Sequence, residues 1–358
     1  MSFPIPNPAT IRRNMLDPDS PDVASIWQFP RTVWWYVTRR SVAEFFADAC
    51  PHHAAALGFH ATLSLFPALT VIVSILGLAG QSPETITALI SILDRVGAAN
   101  FTAPVVIWVG ELSRSPAPGW GLAAGLIGAI WTASRYVVAF SHAANHIHGV
   151  PEGRSVARLR AGMLGVTLLL LVLIALITLT LVVSEPVTEA LRDRLGDGTV
   201  DAWAWLKVPA LLAVAALVVA LLLQAVPNVR LSKVRWLSPG AVVAITGTVA
   251  VSAGLSLFSH LAGTFSRTYG SLAGLALLWL WLWLINACLL LGAEVDTEVE
   301  RARRLMAGER VESGPPAPPR ATARAEKSQD RTRRLVAEAT LIRRRHEQTP
   351  PTADEPAR

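Results

Sequence analysis

The sequence predicts an all-α fold, a polytopic membrane bundle of six transmembrane helices. Three observations predict it. Of 358 residues, 52% are hydrophobic and only 16% are charged, with a mean hydropathy of +0.43; an ordinary soluble domain carries about 25% charged residues. The apolar residues are clustered in blocks of about 20, long enough to cross a hydrocarbon core of about 30 Å. The blocks are continuous rather than alternating, which suits helices and not barrel strands.

The expected spans are 54–79, 119–141, 161–184, 205–226, 238–261 and 270–295. Residues 1–30 are rich in Pro and Asp and read as a flexible tail. Residues 31–53 begin "RTVWWYVTRRSVAEFFADA", and read as an interfacial helix with Trp34, Trp35, Phe45 and Phe46 near headgroups. No early apolar core follows a basic start, so the first span is expected to act as the insertion signal. Between spans 1 and 2, Ile86, Leu89, Ile90 and Leu93 recur at helical spacing behind Pro83 and Glu84, and "APVVIWVGEL" is too short to span. This loop is expected to carry amphipathic helices on the outer surface. The membrane domain then covers 54–297.

Residues 298–358 form a basic tail that holds 14 of the 32 Lys and Arg residues and includes "SGPPAPPRATARAEK". Such a composition is expected to be largely disordered, with a charged helix over 326–347. The tail is a candidate for contact with anionic lipid, where each basic residue contributes about 1 kcal/mol. It has no aromatic platform for nucleic acid, so nucleic acid is not the expected partner.

Orientation follows the short loops. Arg12, Arg13, Arg31, Arg39 and Arg40 precede span 1; Arg154, Arg158 and Arg160 follow span 2; Arg230, Lys233 and Arg235 follow span 4. The opposite side carries Glu84, Asp94, Glu111, Glu185, Glu189, Asp193, Asp197 and Asp201. Both termini are therefore expected in the cytoplasm, and an even number of spans agrees with that. No disulfide is expected between Cys50 and Cys288, whose inferred depths differ.

Polar residues within the spans mark the candidate site. On span 2, Gly121, Gly125, Gly128, Thr132, Arg135, Ala139 and His142 share a helical face. Small residues allow close helix approach, and an arginine facing lipid would cost at least about 2.5–3.5 kcal/mol, so this stripe is expected to face the interior. Arg135 falls about 24 Å below the outer end of the span at 1.5 Å per residue. Span 1 offers His60, Ser64 and the kink residue Pro67, which removes a backbone bond. Span 6 offers Asn286 and Glu294. An ion pair between Arg135 and Glu294 is the economical expectation, either fixing helix register or lining a cavity open to the cytoplasm. "HAANHIH" sets His142 and His146 at a usable metal spacing, but no acid completes a motif. No metal, cofactor or catalytic residue is expected.

Several stretches resemble the YihY/virulence factor BrkB family: "AAALGFHATLSLFPALTVIVSILG", "WTASR" followed by "NHIHGVPEGRS", "PNVRLSKVRWLSPGA", and "TYGSLAGLALLWLWLWLINACLLLGAEVDTEVER". The resemblance covers about residues 35–305. It implies a six-helix protein of the bacterial inner membrane, whose members have carried the label ribonuclease BN by mistake and have no settled activity. Arg135, Tyr269, Gly270, Ser271, Gly292, Ala293 and Glu294 match the family's motif positions, while His60 stands where members more often carry tyrosine. The leading functional expectation is transport or binding of an amphiphilic or small polar substrate. The alternatives are a scaffold acting through its tails and a tRNA-processing ribonuclease. The last is disfavoured because Glu152 is the one acid in the inter-span loops of the basic side, and phosphoester hydrolysis needs several ligands converging on an ion.

Overall fold

The structure is a computed structural model, and residues 29–78, 118–195, 197–230, 237–261 and 271–348 are described. Eight long helices account for most of them: α1 (Arg31–Ala47), α2 (Cys50–Leu78), α3 (Pro118–Ile147), α4 (Val156–Leu195), α5 (Asp197–Ala220), α6 (Pro239–Leu261), α7 (Ser271–Met306) and α8 (Ala323–Gln348). Helix α5 continues as a π-helical turn, Leu221–Ala225. Among the described residues there is no strand, only an isolated bridge between Val229 and Pro319.

Five helices are long and apolar enough to cross a membrane, over Ala123–Ile147, Val156–Ile177, Trp205–Ala225, Pro239–Phe258 and Gly274–Met306. They match expected spans 2 to 6. The expected first span lies on α2, a 29-residue helix. The amphipathic helices expected within 82–118 lie outside the described residues, as do Tyr269 and Gly270. The expected interfacial helix is shorter than 31–53, because the chain turns at Ala49 (φ 52°) between α1 and α2.

Local chemistry sets the boundaries. Pro118 and Pro239 stand at helix starts, where the missing N–H is no loss. At α6, the Ser238 hydroxyl accepts a bond from Ala241 N at 3.1 Å, a side-chain N-cap. Helix α3 ends with Gly149 at φ 63°. Gly149 N bonds His146 O at 2.9 Å and Val150 N bonds Asn145 O at 3.0 Å, the paired 5→2 and 6→1 bonds of a Schellman ending. Gly308 (φ 82°) closes α7 in the same way, through Gly308 N to Leu305 O at 3.0 Å and Glu309 N to Arg304 O at 2.9 Å.

The principal core lies toward the polar end of the bundle. It joins Leu57 of α2, Val137, Phe140 and Ala144 of α3, Leu222 and Val226 after α5, Ala244 of α6 and Leu290 of α7. Two close crossings hold the elements together. Gly128 faces Pro67, whose Cβ would lie 3.3 Å from a side chain added at 128. A Cβ on Gly240 of α6 would overlap the Gly292 carbonyl of α7. Trp281 Nε1 also donates to the Ser252 hydroxyl at 2.9 Å across α6 and α7.

Helix α7 has 36 residues, about 54 Å at 1.5 Å per residue, well beyond a core of about 30 Å. Its charged end, from Glu294 onward, therefore projects past the apolar run. Against that end packs α1, through Phe29, Val37, Val299 and Ala302. Trp34 packs against this cluster and Phe45 against the principal core, while Trp35 and Phe46 stay exposed. The four aromatics expected together at the headgroups are thus divided.

The basic tail also differs from expectation. Residues 309–322 return to the polar end instead of leaving it. Arg301 donates to Val311 O at 2.6 Å and to Gly314 O at 2.7 Å, and Ala317 is buried with Val150 and Val229. Low apolar content predicts disorder only when backbone groups find no partners. Here Arg301 at the end of α7 and Asn228 after α5 supply them. The charged helix expected at 326–347 is present as α8.

Candidate functional site: two polar clusters at one end of the bundle

The expected pair between Arg135 and Glu294 does not form. Arg135 is exposed on α3, where its charge acts on His60 of α2. Glu294 is buried at 1% exposure and accepts a bond from the Cys50 thiol at 3.4 Å. The expected interior stripe of α3 is buried at Gly125 but exposed at Arg135 and His142. The buried face is set by bulk instead, through Val137, Phe140, Ala144 and Ile147, because filling the core with large side chains outweighs matching polarity. Tyr136, next to the predicted arginine, makes the connection to α7: its hydroxyl donates to Asn286 Oδ1 at 2.8 Å. Asn286 in turn donates to Leu282 O at 2.7 Å. Ser64 donates to His60 O at 3.0 Å within α2, a local bond common for hydroxyls in apolar helices.

Glu294 begins one polar cluster, built from α1, α2 and the projecting end of α7. One turn beyond it, Glu298 is buried at 1% exposure. Arg301 Nε reaches Glu298 Oε1 at 3.0 Å, and Arg40 Nε lies 3.0 Å from Glu298 Oε2. Arg40 also pairs with Glu44 at 3.2 Å and donates to the Tyr36 hydroxyl at 2.9 Å. Farther out, Glu300 takes Arg303 at 3.1 Å and Arg304 at 3.2 Å. Glu294 is the exception in this set. Among the described residues no cation pairs with it, and the charges that act on it are carboxylates, Asp48, Glu298 and Glu44.

Asp48 ends α1 beside this cluster, with His146 Nε2 at 3.9 Å from its Oδ1. Burial pushes the Asp48 carboxyl up to about 6, with Glu44 and Glu298 adding to the rise and His146 and Arg301 opposing it. The ring of His146 lies 5.5 Å from that of His53. Despite these neighbours, no group of three or more His, Cys, Asp or Glu among the described residues is placed to hold a metal ion.

The second cluster ties the loops together. Arg154 grips Glu152 with a fork, Nε to Oε1 at 2.8 Å and Nη2 to Oε2 at 2.7 Å. Burial works against the Glu152 carboxylate, yet the bonds from Arg154 hold its carboxyl below the ordinary range. Nη2 of Arg154 also donates to Ser141 Oγ at 2.9 Å and to Val226 O at 3.1 Å. Asn145 links the same acid, at 2.9 Å, to Asn228 N, at 2.7 Å.

The tail closes this second cluster. Arg320 donates to Gln224 O at 2.7 Å and to Val229 O at 2.7 Å. The first of these carbonyls belongs to the π turn that ends the helix just before Pro227, and the second to the loop beyond it. Burial and the nearby Arg154 both pull the Arg320 guanidinium below its ordinary value. Asn228 completes the strap, accepting from Ala321 N at 3.1 Å and donating to Ala321 O at 2.9 Å. Gly153 is required here, since a Cβ would collide with the Ala321 carbonyl.

Between the clusters, His148 is buried against Thr297, its Nδ1 3.0 Å from the hydroxyl. Thr297 gives its hydrogen to Ala293 O at 2.8 Å, so Nδ1 is the donor. Burial pushes the His148 imidazole down to about 4, leaving it neutral.

Sequence reasoning passed over Arg40, Tyr136, His148, Arg154, Asn228, Gly240 and Arg320 as site residues. Most lie inside the stretches "NHIHGVPEGRS" and "PNVRLSKVRWLSPGA", whose unusual density of polar residues and glycine beside apolar runs was the available signal. The family described as virulence factor BrkB matches residues 41–317, a range that covers both stretches. A ribonuclease-like protein of Bacillus subtilis (strain 168), YfkH, is 28% identical over 256 residues, 70% of this chain and 90% of the relative. No solved structure matches. Since the family match spans the membrane helices and both loop motifs that build the clusters, the chain belongs to the virulence factor BrkB family.

Proposed function

We propose that this chain is a six-span protein of the bacterial inner membrane, with both termini cytoplasmic, that binds and moves a small polar or amphiphilic solute. Helix α2 supplies the first span, beside the five of α3 to α7, and the basic loops lie on the cytoplasmic side by the bias of Lys and Arg. The observation that carries the reading is Glu294, a carboxylate at 1% exposure whose hydrogen-bond partner is the neutral Cys50 thiol. A buried carboxylate without a cation is costly, so Glu294, where the apolar run of α7 gives way to its charged end, is placed to take up a cation or a proton. Glu294 receives the cationic group of the solute or a coupling ion. His60, Ser64 and Asn286 form the polar remainder of the route, and Arg135, exposed on α3 and turned away from Glu294, acts at its approach rather than beside the acid.

Purified protein in liposomes tests this by uptake of small organic cations and by lipid scrambling. Wild type is expected to be active, and Glu294→Gln and Arg135→Ala to lose about tenfold or more, equivalent to about 1.4 kcal/mol of barrier. Absence of both activities in wild type would sink the proposal.

A scaffold role is the second reading, supported by the length of α8 that stays exposed. Deleting residues 325–358 separates the two, because transport survives that loss and recruitment does not. For a ribonuclease, the name of the Bacillus relative is the support. Against it, Glu152 is already committed to Arg154 and Asn145.

A further inference from the structure

Helix α8 is fixed at its root and unpartnered beyond it. Arg324 N bonds Gly153 O at 3.1 Å and Ala325 is buried, so the strap sets where the helix starts. From 330 to 339 every residue is exposed, including Leu335 at 55% and Val336 at 60%; farther along, Ile342 is 61% exposed. Projected at 3.6 residues per turn, Leu335, Ala339 and Ile342 form one stripe. The half of the helix centred on it carries Arg324, Lys327, Arg331, Arg343 and Arg345, against the single acid Glu338. Glu326, Asp330 and Glu347 fall on the other half, where Asp330 meets Arg333 at 3.8 Å; Glu347 reaches back to Arg343 at 2.7 Å.

We infer that α8 lies on the membrane surface, its basic half on anionic lipid headgroups and its apolar stripe toward the acyl boundary. An apolar stripe flanked by arginines is complementary to an anionic interface. The strap holds the root of the helix at the end of the bundle that carries the basic loops. A nucleic acid fits less well, because residues 323–348 contain no aromatic side chain on which a base could stack. This inference does not depend on transport.

The test uses the full chain in nanodiscs of phosphatidylcholine, with and without phosphatidylglycerol, and an environment-sensitive fluorophore on Ile342→Cys. The parent chain, whose Cys50 is buried, measures background labelling. The emission is expected to shift to the blue only with phosphatidylglycerol, and to revert in 1 M salt, where the screening length is about 3 Å. Replacing Lys327 and Arg331 with Gln is expected to lower the ratio of docked to free helix about tenfold or more, at about fivefold per basic residue. Equal emission in the two discs overturns the inference, whether shifted or not. So does a shift that appears only when a single-stranded oligonucleotide is added to neutral discs.

Discussion

At the residue scale, Arg154 is the most consequential side chain of the loop cluster. Its guanidinium satisfies a carboxylate, a hydroxyl and a helix-terminal carbonyl together. Arg154→Ala leaves Glu152 buried without its cation, which is expected to cost about 3–5 kcal/mol. Thermal unfolding in detergent checks this, and Arg154→Lys, which keeps the charge but not the fork, should fall between. Sequence gave no access to the arrangement, because Arg154 meets Val226 72 residues away and Asn228 meets Ala321 93 residues away. No local period connects such positions. His148 makes a pH prediction. Its imidazole is neutral in the folded state down to about 4, whereas an unfolded histidine titrates near 6.5. The unfolded state therefore binds more protons between those values, and stability falls as pH drops from about 6.5 toward 4. Asp48 acts in the opposite sense. Its carboxyl is held up to about 6, so its contribution is present below about 3.8 and lost as pH rises through about 6. Melting curves of His148→Asn and Asp48→Asn separate the two. The first should flatten the acid-side loss, and the second should steepen it.

At the scale of elements, glycine contacts decide which helices meet. Gly240→Val is expected to force α6 from α7, because its Cβ would overlap the Gly292 backbone carbonyl as well as the Asp296 side chain. The cost should reach the upper part of the 1–3 kcal/mol typical of overpacking, read as lost monodisperse protein in size-exclusion chromatography. Gly128→Ala should cost less, since its Cβ meets only the Pro67 ring at 3.3 Å. Gly128 and Gly292 were expected from sequence as packing positions, and each faces a neighbouring helix closely. Their partners were not legible there, because a stripe on one helix does not say which helix crosses it. Polarity misled for the same reason: Arg135 and Glu294 were the unusual residues at similar depth, yet rotation about the helix axis, set by Phe140 and its neighbours, turned them apart.

At the scale of the whole molecule, ionic and hydrogen-bonded groups gather at one end, and the strap ties the tail to it. Deleting residues 318–358 removes the bonds of Arg320 and Ala321 to the loop after α5. At about 0.5–1.5 kcal/mol for each hydrogen bond, the loss should be about 3 kcal/mol. Deletion of 325–358 keeps the strap and should leave the melting temperature unchanged. Limited proteolysis offers a second readout, with cutting within 309–322 accelerated in Arg320→Ala.

Composition and continuous hydropathy alone determined the class of protein, the helical segments and the positions of expected spans 2 to 6, because a bilayer allows few ways to satisfy a backbone. Family-like motifs showed where polar residues concentrate. Tertiary structure alone decided which of them meet: Glu294 with Cys50, Asn286 with Tyr136, Arg154 with Glu152, and the tail with the loops. Segment identity depends on averages over about 20 residues, which one chain displays. Pairing depends on the rotation and depth of each helix against its neighbours, which are fixed only when the core closes.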